Sequence, residues 1–521
     1  MVDLNRLAGR DARRRAARRA VLAVAIMLLA MMLIGTVARA TDSNGSKTGT
    51  GADLTSPAQK SADPVKAALD EVGHNKIAIN FIWVFLGGIL VFFMQAGFAL
   101  LETGFCQQKN ALHVMMTNFM IFGIAVIAFY FIGFGLMFGG VGALKTLGGA
   151  PILTRELGIG SWGLIGGKGF ALSGPAYDVG IFLFFMFQVV FMDTAATIPT
   201  GAMAERWKFS AFCIYGLFMG AIAYPIFGNW VWGGGWLQQL GVNAGLGHGF
   251  VDFAGSSVVH AMGGIAGLMG IIVLGPRFGK FKKDGTPRAI PGHNIPIAIV
   301  GTIILVFGWF GFNAGSTLNG GDLRLAVVAT NTLLAACFGA VAAMLYMWKK
   351  TGNPDPSMSA NGCLAGLVAI TAPCAFVSSW EAAIIGSIAG ILVCVAVFTL
   401  ERRFKIDDPV GAVAVHGCNG IWGVIALGIF ADGTYGAGWN GVDGTVRGLL
   451  YGGWGQFLAQ LIGAATCIIF VSALFYSFFK IQDRIQGIRV SPEAEVGGLD
   501  SAEMGVPAYT EDTRDLYDSL S

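Results

Sequence analysis

Hydropathy along the chain alternates between long apolar stretches and short polar connections. Beyond residue 78 we count eleven apolar segments, at about 79–103, 114–139, 179–203, 210–232, 252–275, 295–314, 325–348, 360–376, 380–400, 410–431 and 449–480. Most of them approach or exceed the ~20 residues that an α-helix needs to cross a bilayer. Because lipid-exposed backbone must satisfy its own hydrogen bonds, the pattern predicts an all-α polytopic membrane protein with eleven transmembrane helices.

Composition agrees with this prediction and narrows the class of protein. The 521-residue chain is 55% hydrophobic and 12% charged, with a mean hydropathy of +0.65, which excludes an ordinary soluble domain. Its 77 glycines suit helices that approach one another closely in lipid. The eight cysteines form no C-x-x-C motif and are interpreted as small buried side chains, so we expect neither a metal nor a cofactor. No basic patch with interleaved aromatic residues indicates nucleic acid.

The first 78 residues differ from the rest of the chain. Five arginines between residues 13 and 19 precede an apolar run, Val21 to Ile34, which is followed by Ala38-Arg39-Ala40. A basic region, a short apolar run and an A-x-A site predict a cleavable signal peptide over residues 1–40, with a retained membrane anchor as the alternative. The polar residues 41–78 are expected to form a mobile external extension.

Loop charges predict the orientation. One set of connections, together with the end of the last segment, holds sixteen basic residues: Lys109, Arg206, Lys208, Arg277, Lys280, Lys282, Lys283, Arg288, Lys349, Lys350, Arg402, Arg403, Lys405, Lys480, Arg484 and Arg489. The alternate set holds five: Lys145, Arg155, Lys168, Arg324 and Arg447. The positive-inside rule then places the mature N-terminus outside and the C-terminal tail, residues 481–521, in the cytoplasm. This orientation is the one that a cleaved signal peptide requires.

One motif occurs twice within the apolar segments. Residues 252–267 read DFAGSSVVHAMGGIAG and residues 408–423 read DPVGAVAVHGCNGIWG, and both fit D-x-x-G-x-x-x-V-H-x-x-x-G-I-x-G. The motif places His260 and His416 at equivalent positions, and an ionisable side chain within a membrane span is costly enough to suggest a function. A buried hydrogen bond between helices is the alternative role for such a histidine.

The two copies lie five spans apart. An odd number of spans turns the second unit upside down, so the sequence predicts two inverted five-helix repeats followed by a long last helix. The histidines would then approach a pseudo-two-fold axis near the bilayer centre. Chance similarity between two glycine-rich helices is the alternative explanation of the motif.

At this point the chain resembles the Amt/Mep/Rh ammonium transporter family over roughly residues 79–480. The resemblance rests on Asp252-Phe-Ala-Gly-Ser with Gly263, Gly264, Gly267 and Gly275-Pro276-Arg277, and on Gly308-Trp-Phe-Gly-Phe-Asn-Ala-Gly-Ser316, Ala204-Glu205-Arg206, Asn229-Trp-Val-Trp-Gly-Gly234 and Asp407-Asp-Pro409. It implies an eleven-span transporter of the cytoplasmic membrane, usually a homotrimer with one pore through each subunit. The protein is therefore expected to transport ammonium, with methylammonium as a related substrate, and not to be an enzyme.

The resemblance also assigns roles to individual residues. It implies that His260 and His416 line a narrow hydrophobic pore, that Phe191, Trp232 and Ser316 recruit ammonium outside, and that Phe191 and Phe312 form a gate. Aromatic faces attract a cation by about 0.5–2 kcal/mol, and a hydroxyl accepts a hydrogen bond from it. Phe191 and Trp232 facing lipid or the membrane interface is the alternative. For Asp252 and Asp408 we expect helix caps, and for Trp309 and Asn313 packing roles.

Elementary chemistry suggests how such a pore works. A bare cation pays a large desolvation cost in an apolar passage, whereas neutral ammonia does not. We therefore expect ammonium to separate into ammonia and a proton, with the paired imidazoles guiding the first and relaying the second. Transport would then carry net charge and exclude potassium, which has no proton to lose.

Two other functions fit parts of the sequence. The same fold can serve as an ammonium sensor, although the tail over 481–521 is shorter than the ~100 residues of a typical signalling domain. A membrane hydrolase with a histidine and aspartate metal site is the second alternative; its histidines would be 156 residues apart, without an H-E-x-x-H motif. The tail contains Met504 where bacterial members commonly have histidine, and the family implies a PII signalling protein as a cytoplasmic partner.

Overall fold

The computed structural model describes residues 63–149 and 152–509. Eleven apolar helices account for most of it: α1 Pro64–Phe105, α2 Gln108–Phe138, α3 Val179–Ala202, α4 Phe209–Trp232, α5 Ser256–Leu274, α6 Ile295–Thr317, α7 Arg324–Thr351, α8 Pro356–Ile370, α9 Ser379–Arg402, α10 Val413–Phe430 and α11 Trp454–Gln486. All except α8 are long and apolar enough to cross a membrane. The all-α polytopic fold is therefore confirmed, with a helix for each of the eleven apolar segments.

The N-terminal boundary of the first helix differs from the prediction. α1 begins at Pro64, so residues 64–78 continue the helix and do not belong to a polar extension over 41–78. Asp63 caps this end, because its side chain accepts from the backbone N–H groups of Val65 and Lys66, and proline is favoured in the first helical turn. Hydropathy detects only the apolar part of a helix, so it missed residues 64–78, which make about four helical turns. The predicted signal peptide, residues 1–40, lies outside the described residues.

Glycines at the contacts between neighbouring helices allow the helix backbones to approach closely. Along the contact between α1 and α6, a Cβ at Gly104 would lie 2.5 Å from the carbonyl oxygen of Asn294, and one at Gly301 would lie 2.5 Å from the backbone nitrogen of Leu101. Similar contacts join α7 to α8 and α9, where a Cβ at Gly366 or Gly386 would approach the carbonyl oxygen of Ala335. These contacts explain why the sequence contains so many glycines within apolar segments.

The two membrane faces carry different connections. We call the face against which residues 487–509 pack the tail face, and the opposite one the vestibule face. Strands β1 Glu156–Ile159 and β2 Trp162–Gly166 form an antiparallel hairpin in the long connection on the vestibule face. The hairpin is fixed to the end of α4, because Trp230 Nε1 donates to the Leu164 carbonyl and Asn229 Nδ2 donates to Glu156. Burial raises the pKa of Glu156 to about 7, against the opposing effect of the Asn229 bond.

Residues after α11 are bound closely to the tail face. A short helix, Pro492–Gly497, is followed by a wide turn, Asp500–Met504. Asp500 accepts from the backbone nitrogens of Leu112 and His113 at the start of α2, and Lys109 Nζ donates to the carbonyl oxygens of Glu495 and Val496. Residues 492–504 are therefore part of the folded unit, although the hydropathy pattern predicted only a polar tail.

A buried ion-pair cluster ties the ends of several helices together at the tail face. Arg277 forms ion pairs with Glu205 and with Asp407, and its Nη2 lies 2.8 Å from Asp407 Oδ1. Arg206 donates to the carbonyl oxygens of Ala204 and Asp407. Burial opposes ionisation of Glu205, but the attraction of Arg277 outweighs it and lowers the pKa of that carboxyl. The cluster joins the ends of α3 and α5 to the start of α10.

Candidate functional site

The two copies of the repeated motif adopt the same local structure. Asp252 accepts hydrogen bonds from the backbone nitrogens of Gly255, Ser256, Ser257 and Val258 at the start of α5. Asp408 does the same for the backbone nitrogens of Gly411 and Val413 at the start of α10. Gly255 and Gly411 have φ angles of 115° and 82°, a left-handed conformation that glycine adopts without strain. Both aspartates thus have the capping geometry expected from the sequence.

Each motif continues into a wide helical turn that carries its histidine. These π-helical turns are Ser256–Ala261 in α5 and Val413–Cys418 in α10, and such turns often occur at functional sites. α5 runs from the vestibule face to the tail face and α10 runs the opposite way, as inverted repeats require. The helices cross without intervening side chains: a Cβ at Gly264 would lie 2.1 Å from the Gly417 nitrogen. This close crossing brings the two histidines together.

His260 and His416 form a contacting pair in the protein interior. Their Nδ1 atoms lie 3.2 Å apart, and the ring centroids are 5.3 Å apart with planes inclined by 22°. When both rings are neutral, one Nδ1 donates and the other accepts, so one of the two Nε2 atoms carries a hydrogen and the other a free lone pair. His260 is fully buried, and its Nε2 has no hydrogen-bond partner among the described residues. The pair can therefore accept a proton at one end and release one at the other.

Aromatic side chains fix the orientation of the His260 ring. Trp309 stacks on it at 5.0 Å with planes inclined by 17°, and Phe312 lies at 5.3 Å. The Trp309 Nε1 in turn donates to Thr371 Oγ1 at 2.9 Å, which fixes the indole. Trp309 thus has a packing role, and the residue against which it packs is His260. Asn313 on the same helix donates to Thr332 Oγ1.

A cavity of about 230 Å³ lies at the vestibule-face end of the helices. Phe191, Trp232, Ser316 and Asp252 all line it. Trp232 Nε1 donates to the Asp252 carbonyl, and the Ser316 hydroxyl donates to the Phe312 carbonyl. The serine oxygen keeps its lone pairs as acceptors, in the same cavity as the Trp232 indole. A small cation entering this cavity would meet aromatic faces and oxygen acceptors together.

Two closely packed phenylalanine rings separate this cavity from the histidine pair. Phe191 and Phe312 have centroids 4.2 Å apart with planes inclined by 34°, and Phe191 contacts Trp232 edge to face at 6.3 Å. Both phenylalanines are almost completely buried. In the described structure, passage from the cavity to His260 therefore requires these rings to move.

A second, water-sized cavity of about 10 Å³ lies on the other side of the pair. His416, which is 4% exposed, lines it together with Phe98, Glu102, Asn361 and Val410. The structure thus orders the site from the vestibule face as large cavity, phenylalanine pair, histidine pair and small cavity. Phe191, Trp232, Ser316 and Asp252 line the large cavity and His416 lines the small one, whereas Asp408 lines neither and caps the start of α10.

Sequence reasoning missed several lining residues. Gln188, Phe253 and Trp439 line the large cavity, and Glu102 and Asn361 line the small one. Glu102 carried the same signal as the histidines, since it is an acid within an apolar segment, and the rule that found them also applies to it. Asn361 and Trp439 gave no such signal, because polar and aromatic residues are common at helix ends.

The fold and site define a class: a multi-span membrane protein with two interior cavities separated by buried aromatic rings and a histidine pair. The model of the Ammonium Transporter Family matches residues 82–509, and the chain belongs to that family. Among curated relatives, ammonium transporter Amt2 of Archaeoglobus fulgidus is 48% identical over 437 residues, covering 83% of this chain and 89% of the relative. Ammonium transporter Amt1 of Haloferax mediterranei is 36% identical over 455 residues, covering 85% and 81%.

Solved structures show the same relationship. A sensor Amt protein superposes with a TM-score of 0.71 at 37% identity, covering 82% of this chain and 98% of that one. Mep2 of Candida albicans gives a TM-score of 0.66 at 28% identity, covering 80% of this chain and 86% of that one. The family model over residues 82–509 and the solved structures therefore indicate the same fold.

Proposed function

We propose that the protein transports ammonium across a membrane as ammonia plus a proton, with net movement of charge. The observation that supports this most directly is the contact between His260 and His416, buried between two cavities. Family membership supports ammonium as the substrate, and the protein is a transporter, not an enzyme. Methylammonium, which carries the same charge and retains N–H donors, is expected to follow the same route.

Recruitment is proposed to occur at Phe191, Trp232 and Ser316. An ammonium ion in the large cavity exchanges part of its water shell for the aromatic faces and the serine oxygen. Asp252 contributes indirectly, because its carboxyl is already occupied by backbone N–H groups of α5. The gate is assigned to Phe191 and Phe312, whose rings must separate for ammonia to pass.

Proton transfer is proposed to follow the hydrogen bond between the imidazoles. A proton that leaves ammonium binds the free Nε2 of His260, the Nδ1 proton of His260 passes to His416, and His416 releases its own Nε2 proton toward the small cavity. Each N–H bond that forms is balanced by one that breaks. Ammonia itself crosses the apolar passage without the cost of moving a desolvated ion.

Reconstitution into liposomes tests this mechanism. Solid-supported membrane electrophysiology is expected to show a current on addition of ammonium and none on addition of potassium. His260→Ala and His416→Ala are each expected to reduce the ammonium current or to lose selectivity against potassium. A wild-type protein that gives no current while ammonia equilibrates would indicate a neutral gas channel. Histidine variants with unchanged rate and selectivity would remove the relay.

The orientation and assembly complete the proposal. Sixteen basic residues lie in the tail-face connections and at the end of α11, which supports a cytoplasmic tail face and an external vestibule face. Single cysteines introduced on each face, labelled from outside intact cells with a membrane-impermeant maleimide, test this assignment. Family resemblance supports a homotrimer in the cytoplasmic membrane and a PII signalling protein as a partner of the tail face. Mass measurement in detergent tests the trimer, and co-purification with PII tests the partner.

An ammonium sensor is the second candidate, because a sensor Amt protein is among the similar structures. Sensing requires binding, whereas transport requires turnover. Flux of labelled methylammonium into liposomes separates the two: saturable binding without flux would favour the sensor.

A further inference from the structure

The membrane region contains an acid that the transport mechanism above does not use. Glu102 lies in the last turn of α1, three residues before the helix ends at Phe105, and it is 2% exposed. It lines the same small cavity as His416, on the tail-face side of the histidine pair. The cavity has room for about one water molecule, and such a water would have His416, Glu102 and Asn361 as polar neighbours.

Neighbouring helices hold the Glu102 carboxyl in place. Asn118 Nδ2 of α2 lies 2.7 Å from Glu102 Oε2, and Thr200 Oγ1 of α3 lies 2.8 Å from the same oxygen. Gly201 leaves the space that the carboxyl occupies, since a Cβ there would lie 2.9 Å from Glu102 Oε1. Buried acids are costly in a membrane span, so three helices shaped around one carboxyl suggest a role beyond packing.

The Thr200 hydroxyl can serve either protonation state of Glu102. It lies near two acceptors, Glu102 Oε2 and the carbonyl oxygen of Thr197, but it has a single hydrogen to donate. When Glu102 is ionised, Thr200 donates to the carboxylate. When Glu102 carries a proton, the acid donates to Thr200 Oγ1, and Thr200 donates to Thr197. The carboxyl therefore has a hydrogen-bond partner with or without the proton.

The neighbouring Asp408 carboxyl already accepts hydrogen bonds from the backbone, and Glu205 and Asp407 are paired with Arg277. Asp408 interacts electrostatically with Glu102, but it accepts backbone N–H groups at the start of α10. Protonation of Asp408 would weaken that cap. Glu102, by contrast, can gain or lose a proton through reorientation of one hydroxyl hydrogen.

We propose that Glu102 is the proton acceptor between His416 and the tail face, an inference that rests on the proposed function. His416 breaks its Nε2–H bond and gives that proton to the cavity water, which gives one of its own to the Glu102 carboxylate. Glu102 then breaks its new O–H bond and passes the proton to solvent water at the tail face, since Glu102 lies within about 5 Å of the end of α1 at ~1.5 Å per residue. No other reactant is needed, because the proton originates from ammonium.

The test compares charge movement with ammonia permeation in liposomes. Glu102→Gln keeps the shape and hydrogen-bonding capacity of the side chain but cannot bind and release a proton. We expect its ammonium current to fall at least about tenfold, equivalent to ~1.4 kcal/mol in the barrier, while ammonia permeability measured from internal pH stays within about twofold. Glu102→Asp keeps an acid and is expected to restore most of the current.

Asn118→Leu is the matched control, because it removes a hydrogen bond to the same carboxyl without removing the acid. Glu102→Gln with wild-type current would overturn the inference. The inference would also be overturned if Asn118→Leu and Glu102→Gln both lost current and ammonia permeability to the same extent, because that result indicates a structural role. A silent wild-type protein would instead refute the proposed function. If Glu102→Gln does not fold, ammonium-induced infrared difference spectra of wild type and Glu102→Asp decide: a carboxyl band that shifts between them supports the inference, and its absence overturns it.

Discussion

The crossing of α5 and α10 makes an asymmetric prediction about two glycines. A Cβ added at Gly264 would lie 2.1 Å from the Gly417 nitrogen and 2.6 Å from the Gly417 Cα, both backbone atoms that cannot rotate away. A Cβ added at Gly417 would meet nothing closer than 3.5 Å, which is an ordinary contact. Gly264→Ala must therefore separate the helices by about 1 Å, whereas Gly417→Ala fits.

The magnitude follows from the histidine geometry. A separation of about 1 Å would lengthen the 3.2 Å contact between His260 and His416 beyond hydrogen-bond range. Overpacking typically costs about 1–3 kcal/mol of stability, and a misplacement of ~1 Å at a reacting centre can lower a rate by about 100-fold. We expect Gly264→Ala to lower both thermal stability and ammonium current, the current by at least about tenfold.

Both variants are assayed side by side, in detergent for thermal unfolding and in liposomes for ammonium-evoked current. Gly417→Ala is expected to stay within about twofold of wild type, because alanine is also the better helix former. Equal behaviour of the two variants, or a wild-type current for Gly264→Ala, would refute the argument that this glycine contact sets the histidine distance.

Three further outcomes are expected. Asp252→Ala leaves four backbone N–H groups at the start of α5 without their acceptor, so thermal unfolding should show a loss of about 1–3 kcal/mol; an unchanged melting temperature would contradict the cap. Asp407→Asn removes the charged partner of the buried Arg277 and should lower the free energy of unfolding by about 3–5 kcal/mol. Arg277 helps to hold the pKa of Asp407 below its ordinary value of 3.8. Wild-type stabilisation by this pair should therefore persist above pH 3.8 and disappear as pH falls through the lowered pKa. Burial raises the pKa of Glu156 from 4.5 to about 7, so its contribution to stability is complete below pH 4.5 and is lost as pH rises through about 7; Glu156→Gln should flatten the melting temperature over that interval, and an equally steep variant would argue against the assignment.

Much of the fold could be predicted because lipid imposes strong constraints on sequence. Apolar runs located all eleven helices, and the repeated D-x-x-G and histidine positions predicted that α5 and α10 have opposite directions. Hydropathy failed where a helix continues into water: α1 starts at Pro64 and α11 ends at Gln486, both beyond the apolar segments. Asp63 caps the start of α1, and Gly487, with a φ angle of 68°, follows the end of α11.

The site was only partly predictable. The histidines were visible as ionisable residues at matched positions, and the family resemblance supplied the aromatic residues of the large cavity. Stacking of Trp309 on His260 could not be read from spacing, because it depends on how α6 packs against α5. Glu102 shares a cavity with His416, 314 residues away in the chain, and no local pattern reports such a long-range contact.

The ratio of charge to nitrogen moved tests the central claim most directly. Simultaneous recording of current and labelled ammonium uptake in the same liposome preparation gives this ratio without assumptions about rate. We predict one elementary charge per nitrogen in the wild-type protein, because each ammonia is accompanied by its proton through the histidine pair. Nitrogen uptake at the wild-type rate with no accompanying charge would contradict the account.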